Sequence, residues 1–358
     1  MTVSCTLHAY KHSRQPDRQS RLVAGSATNQ PMRANFDRET GVQPGESPDE
    51  TAMRPLDHFC QLQLDRYEGP HSASPEAMAQ DWIVHSGLSL LPSLSEIRRQ
   101  MERYGLSLQR ATIPDLRAHH YCYRGGDPTI IYEEGDWRGA VEFTLLHEFY
   151  EIILEQLERL SACCQPGSQS RICWHANRFA AAVLMQKDIF LQALFDSHFD
   201  VVWLHRHFYR SYSAIVIRAV ELLNQSPAGP ELACFIYQPD GNPRDGEKTV
   251  QDFRVACAAS TPAMRRYPRG LLPGRKDSIA AGSIVDLALR TGQPAFSNSA
   301  TGLGLEGNQN LTLLARPINW FRRPAKVSLQ AMQMKDGHIL EAQARRLDAL
   351  MVNEPAPL

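Results

Sequence analysis

The residues with the clearest chemical potential lie in the segment 143–151, which reads FTLLHEFYE. On a helix, His147 and Glu151 are four residues apart and share one face, so both side chains can reach the same metal ion. Glu148 is beside them, where a carboxylate can take a proton from a water molecule at that ion. The segment therefore predicts a metal helix of the His-Glu-x-x-His type, with glutamate at the second ligand position.

The same residues are also compatible with a helix that binds no metal. Glu148, Glu151, Glu155 and Glu158 would then form a charged face in contact with solvent. If an ion does bind, the carboxylate of Glu151 adds negative charge, which makes zinc a weaker Lewis acid than it is with neutral ligands.

A second predicted helix can supply a third ligand. Residues 173–185 read CWHANRFAAAVLM, and the run of alanines allows two helices to approach closely. Cys173 and His175 are both candidates for the third ligand. They lie about 200° apart around the helix, so the two are not expected to reach one ion together.

Taken together, FTLLHE at 143–148 and ANRFAAAVLM at 176–185 resemble the motifs of the ImmA/IrrE metallopeptidase family, the DUF955 type. The resemblance covers about residues 75–223. It implies a zincin-like fold, in which a sheet edge beside the metal helix aligns an extended peptide. Members are zinc peptidases or related sensors, and the characterised kind cleave helix-turn-helix transcriptional repressors to control stress genes.

Carried over by position, the resemblance makes His147 the first zinc ligand and Glu148 the catalytic general base. Glu151 stands where the family has a second histidine, and Cys173 where it has a glutamate. Zinc is therefore expected on His147, Glu151 and Cys173, with His175 as the alternative third ligand. Because two of three ligands depart from the family, two functions stay open. One is a zinc metallo-endopeptidase of the HExxE type, and the other is a catalytically degenerate, non-enzymatic sensor or binding regulator of transcription.

Two further regions follow the metal helices. Helices predicted at 199–208 and 212–223 resemble the helix-turn-helix-like segment of the family, but the second is too apolar for a free recognition helix. It is expected to pack on the peptidase domain, and direct nucleic-acid binding is not expected. Beyond a Pro- and Gly-containing linker, AGSIVDLA at 281–288 and the alternating strand at 327–331 resemble the GAF-like domain of the radiation-response branch, which implies a signal sensor.

The whole pattern predicts an α+β protein with a zincin-like helical peptidase domain, a small sheet, helix-turn-helix-like helices and a GAF-like α+β domain. The expected divisions are a disordered N-terminal segment at 1–52, a metallopeptidase-like domain at 53–197, the helix pair and linker at 198–226, a GAF-like domain at 227–346 and a tail at 347–358. Within the peptidase domain, 120–123 and 129–133 are expected to form a hairpin, and 172–194 a single helix.

Composition limits the remaining classes. The 358 residues carry a net charge of −1, which offers no overall attraction to nucleic acid or to a membrane surface. No apolar run is long enough to span a bilayer, and no secretory signal is evident. Eight cysteines are too sparse for a disulfide scaffold, and the cluster of Cys163, Cys164, Cys173 and His175 matches no common zinc-finger spacing. We therefore expect a cytoplasmic protein, and the family resemblance implies a helix-turn-helix repressor as its substrate or binding partner.

Overall fold

The structure, a computed structural model, describes residues 53–113, 117–122, 126–133, 135–161, 169–226, 229–240, 252–267, 272–303, 311–320 and 323–353. The disorder expected for residues 1–52 lies outside these ranges.

Helices make up most of the first half of the described chain. They are α1 (Pro55–Arg66), α2 (Pro75–Ser86), α3 (Leu94–Arg103), α4 (Arg138–Leu160), α5 (Gln169–Leu184), α6 (Lys187–Asp196), α7 (Val201–Phe208) and α8 (Tyr212–Leu223). Local signals set several ends: Ser74 caps α2 ahead of Pro75, and Gly87 ends it in the left-handed conformation. Ser93 and Glu96 form a capping box at the start of α3.

A three-stranded sheet lies against α4. The predicted hairpin is present as β2 (Ala118–Tyr121) and β3 (Thr129–Glu133), which pair antiparallel. A further strand, β1 (Ser107–Ala111), runs parallel to β3 and gives the order β1-β3-β2. The sequence did not indicate β1, because its residues SLQRA contain one large apolar side chain and no alternation.

The long helix α4 lies in the middle of the first core. It contacts α1, α3, α5, β2 and β3, and Leu145, Leu146 and Phe149 on it are fully buried. Ala176 and Ala180 of α5 are also fully buried in this core. Small side chains at these positions let α5 approach α4 closely, as the alanine run predicted.

The prediction of one helix over 172–194 is wrong, because the chain breaks between α5 and α6. The carbonyl of Met185 accepts a hydrogen bond from Arg218 Nε at 3.0 Å, and Gln186 leaves the helical conformation. Gln186 in turn donates from Nε2 to the carbonyl of Ser89 at 3.2 Å. These contacts come from distant parts of the chain, which is why the local pattern did not show the break.

The second half of the described chain is a five-stranded antiparallel sheet with helices on both faces. Its elements are β4 (Leu232–Pro239), β5 (Phe253–Ser260), α9 (Pro262–Arg265), α10 (Ile284–Thr291), β6 (Ala295–Ser297), β7 (Leu311–Trp320), β8 (Arg323–Gln333) and α11 (His338–Asn353). The strand order is β5-β4-β8-β7-β6. Because both faces are covered, β4 is a continuous buried run rather than an alternating one. The α+β fold class is confirmed.

The helix pair α7–α8 joins the two halves. On the C-terminal side, Leu222 of α8 packs in one core with Cys234 and Ile236 of β4. On the peptidase side, the fully buried Arg218 forms two hydrogen bonds of 2.7 Å with the carboxylate of Glu76 on α2. The sequence predicted packing on the peptidase domain alone, and the structure adds an apolar contact with the C-terminal sheet.

Two observations concern the end of the chain and membrane helices. Helix α11 continues to Asn353, so the boundary expected between residues 346 and 347 falls inside a helix. Its Leu340 and Leu347 pack in the same core as α8. Among the described residues, no helix combines the length and apolar character needed to cross a membrane.

Candidate metal centre

The middle of α4 presents His147 and Glu151 to one another across a single helical turn. Nε2 of His147 lies 3.2 Å from Oε1 of Glu151. The exposed fractions of the two residues are 0% and 4%, and that of Glu148 between them is 1%. A solvated charged face is therefore not what this part of α4 forms, although Glu155 further along the helix is largely exposed.

Helix α5 brings Cys173 to the same place. One donor atom from each of His147, Glu151 and Cys173 lies within 4.8 Å of the other two, and the thiol donates to Glu151 Oε1 at 3.8 Å. His175 is not in this group; its ring instead packs beside Trp174, with 5.2 Å between the centroids. Cys163 and Cys164 lie outside the described residues.

Asn177, one turn beyond Cys173, holds the ring of His147. Its Oδ1 lies 3.0 Å from Nδ1 of His147 and accepts the proton on that nitrogen. With the proton on Nδ1, the lone pair of Nε2 points toward Glu151. Metal-binding histidines are usually oriented in this way by an oxygen acceptor on the other ring nitrogen.

His120 is a member of the cluster that the motifs did not reveal. It lies on the edge strand β2 with its side chain buried against α4, and its Nδ1 is 2.6 Å from Oε2 of Glu148. Its other nitrogen, Nε2, lies 3.2 Å from Oε1 of Glu155. The available signal was the position of His120 in the predicted hairpin, but which of His119 and His120 faces α4 depends on strand register.

The charges in this cluster are buried and tightly coupled. Burial alone would lower the pKa of His120, but hydrogen bonds to Glu148 and then Glu155 outweigh it and raise that pKa to about 10. Both ring nitrogens of His120 thus lie within hydrogen-bond distance of a glutamate oxygen. Oε1 of Glu148 is buried and has no hydrogen-bond partner among the described residues.

The first donor group suits zinc. Zinc accepts imidazole, carboxylate and thiolate ligands at about 2.0–2.3 Å, so donor atoms that start within 4.8 Å of one another need only small movements to share an ion. The unpartnered Glu148 oxygen points to the same conclusion, because a buried carboxylate oxygen without a partner is costly unless a cation is near. We conclude that the residues present fit the zinc that the sequence motifs imply.

Comparisons with known proteins concern the fold and one segment of the chain. The IrrE N-terminal-like domain model of the peptidase M78 family matches residues 101–220. A solved Mycobacterium tuberculosis transcriptional regulator has a similar fold, with a TM-score of 0.51 and 14% identity over 80% of this chain and 83% of that chain. The A. aeolicus nlh2 GAF domain in an inactive state aligns over 47% of this chain and 92% of its own, at 15% identity and a TM-score of 0.25, too low to support an argument. A search of curated proteins finds no match.

The matched segment contains β2, α4 and α5, and with them every residue of the cluster. The resemblance carried by the two motifs is therefore confirmed. Residues 101–220 of this chain are thus similar to the IrrE N-terminal-like domain of the peptidase M78 family.

Proposed function

We propose that this protein is a zinc-dependent, peptidase-fold regulator of transcription that cleaves a helix-turn-helix repressor. One observation carries the proposal: His147, Glu151 and Cys173 bring three metal-binding atoms within 4.8 Å of one another, directly beside the buried carboxylate of Glu148. This group combines metal ligands with a general base, and metal-dependent peptide hydrolysis requires both.

Each side chain has a defined task in this mechanism. His147, Glu151 and Cys173 would hold the zinc, which would supply polarisation of the scissile carbonyl. Glu148 takes a proton from the attacking water and passes it to the leaving amine, and its unpartnered Oε1 is the atom available for that proton. His120 holds the other oxygen of Glu148 and so positions the base.

The regulatory part of the proposal rests on the family resemblance and on fold. The similar structure from Mycobacterium tuberculosis is itself a transcriptional regulator. We assign catalysis to residues 53–197, connection to the helix pair at 198–226 and signal sensing to a GAF-like domain at 227–346. Control of a repressor would require a cytoplasmic location, and α8, with Arg218 buried against Glu76, is not free to bind DNA.

The test is hydrolysis of a defined probe by the zinc-loaded full-length protein. An amine-blocked, proteome-derived peptide library is incubated with the wild type, with Glu148→Gln and with Glu158→Gln, and new N-termini are identified by mass spectrometry. Glu158 lies on the same helix but outside the donor groups, so its variant controls for the loss of a charge. We expect new N-termini with the wild type and Glu158→Gln only. Equal cleavage by Glu148→Gln would exclude the mechanism.

A second candidate function is favoured by the burial of the site. His147, Glu148 and Glu151 are almost inaccessible to solvent, so in this conformation no peptide can reach them. A non-enzymatic regulator that binds its partner through the peptidase fold would have this property. RNA sequencing of cells that carry Glu148→Gln separates the two candidate functions. If the protein acts as an enzyme, the variant should give the transcript profile of a gene deletion. If it acts as a binding regulator, the variant should give the wild-type profile.

A further inference from the structure

We infer that the buried cluster holds two metal ions, with Glu151 as a bridging ligand. The first ion is the zinc of the proposed function, on His147, Glu151 and Cys173, and the inference rests on that site. The second would be held by His120, Glu148 and Glu151, whose donor atoms also lie within 4.8 Å of one another.

The carboxylate of Glu151 faces both groups. Its Oε1 lies 3.2 Å from Nε2 of His147, and its Oε2 lies 3.9 Å from Nδ1 of His120. A carboxylate with one oxygen toward each of two histidines has the arrangement of a bridge between two ions. Two-metal hydrolytic sites place their ions about 3.5–4 Å apart, a spacing that one bridging carboxylate can span.

Both histidines are oriented in the same manner. The nitrogen of His147 that faces away from Glu151 is held by Asn177, and the corresponding nitrogen of His120 is held by Glu155 at 3.2 Å. An oxygen acceptor behind the ring is the usual support of a metal-binding histidine. The second group therefore has the supporting contact expected of a metal site as well as the ligands.

The ligand types and the burial favour a cation at the second position. Glu148 and Glu151 are both more than nine-tenths buried, and Oε1 of Glu148 has no hydrogen-bond partner among the described residues. A divalent ion bound by Glu148 and Glu151 would balance the second carboxylate. One imidazole and two carboxylates, without a thiolate, suit Mn²⁺, Fe²⁺ or Zn²⁺, whereas the thiolate of Cys173 makes the first site the softer one.

Cobalt titration of the metal-free full-length protein tests the inference without any activity assay. Bound cobalt is counted by elemental analysis after desalting, and absorption in the near ultraviolet reports a cobalt–thiolate bond and hence the Cys173 site. The variants are His120→Phe, which removes a ligand of the second site, and Cys173→Ala, which removes one of the first. His119→Phe is the matched control, because His119 is the same residue type on the opposite face of β2.

We expect about two cobalt ions per wild-type chain and per His119→Phe chain. His120→Phe should keep about one ion together with the thiolate absorption, and Cys173→Ala should keep about one ion without it. One ion per wild-type chain, or an unchanged count in His120→Phe, would overturn the inference.

Further measurements keep the result interpretable. If His120→Phe does not fold by circular dichroism, Glu155→Gln serves instead, because it leaves all ligands in place and should weaken only the second ion by about 10–100-fold. Equal affinity for the second ion in that variant would contradict the inference. If the wild type binds two ions but cleaves no peptide, the proposed hydrolysis is excluded and the second metal site is retained. If the wild type cleaves peptides with only one ion bound, hydrolysis is retained and the second metal site is excluded.

Discussion

Nδ1 of His120 lies 2.6 Å from Oε2 of Glu148, so an edge strand of the small sheet is tied to the middle of the metal helix. This contact is on the opposite side of the cluster from Cys173, which meets Glu151 from α5. The candidate base is therefore held by the sheet and the candidate ligands by the helix pair α4–α5. Movement of β2 relative to α4 would change the contact of His120 with Glu148 and also its 3.9 Å approach to Glu151.

Zinc should stabilise the folded protein through His147. A ligand present at 100 times its Kd raises the free energy of unfolding by about 2.7 kcal/mol if it binds only the native state. We expect a corresponding rise in Tm when zinc is added to the metal-free wild type, and a smaller rise for His147→Ala, which loses the first site but keeps the ligands of the second. Differential scanning calorimetry measures both. An equal rise in the two proteins would place the zinc elsewhere.

Removal of the amide at Asn177 should weaken zinc binding although Asn177 touches no metal. Loss of such a supporting contact typically reduces metal affinity by about 10–100-fold. We expect that loss for Asn177→Ala, and a smaller one for Asn177→Asp, which keeps an oxygen acceptor near His147 Nδ1. Competition with a chromophoric chelator gives both affinities. The prediction fails if the alanine variant binds zinc as tightly as the wild type.

Excess zinc should inhibit hydrolysis, because the second ion would take Glu148 as a ligand and withdraw it from proton transfer. The rate of peptide cleavage is expected to rise with the first equivalent of zinc and to fall as more is added. His120→Phe should cleave more slowly, since its base is less well positioned, but without the fall at high zinc. A titration of initial rate against free zinc shows the difference. Inhibition of equal strength in both proteins would mean that it arises outside this cluster.

The Arg218–Glu76 pair should respond asymmetrically to substitution. Glu76→Ala leaves a fully buried guanidinium without its carboxylate, which costs about 3–5 kcal/mol in the free energy of unfolding because arginine cannot give up its proton. Arg218→Met leaves a glutamate that is 26% exposed and can be hydrated, at a cost of about 1–3 kcal/mol. Urea denaturation of both variants measures the order, and the reverse order would contradict the argument.

Gly139 lies where α4 begins beneath the turn between α7 and α8. A Cβ added there would be 2.5 Å from the carbonyl oxygen of Tyr209 and 2.6 Å from the ring of Trp137. We expect Gly139→Ala to lower the free energy of unfolding by about 1–3 kcal/mol, since this crowding outweighs the better helix propensity of alanine. Chemical denaturation should show a lower midpoint at unchanged slope. A variant as stable as the wild type would mean that the turn between α7 and α8 can move aside with no loss in the free energy of unfolding.

Much of the peptidase half could be predicted from local signals. Helical spacing placed His147 and Glu151 on one face, the capping box at Ser93 and Glu96 marked the start of α3, and the alanines of α5 indicated a close helix contact. These features depend on interactions within a few residues of one another, which the order of side chains determines directly.

The C-terminal half was predicted less completely. Its longer strands were recognised from apolar runs, but β6 has three residues and α11 lies where a domain end and a tail were expected. The short strand is defined by its pairing with β7 and not by its own residues. A pattern limited to neighbouring residues cannot record such a partner.

The amino-acid sequence by itself indicated most helices of the peptidase half, the chemical types of the candidate ligands and the resemblance to the ImmA/IrrE family. Only the tertiary structure decided that Cys173 and not His175 faces His147, that His120 reaches Glu148, and that Arg218 bonds to the carbonyl of Met185 where α5 ends. Each of these contacts joins residues 22 or more positions apart, so it depends on how helices and strands pack. Burial then sets the chemistry, because charges that would be solvated on an isolated helix must find partners inside the core.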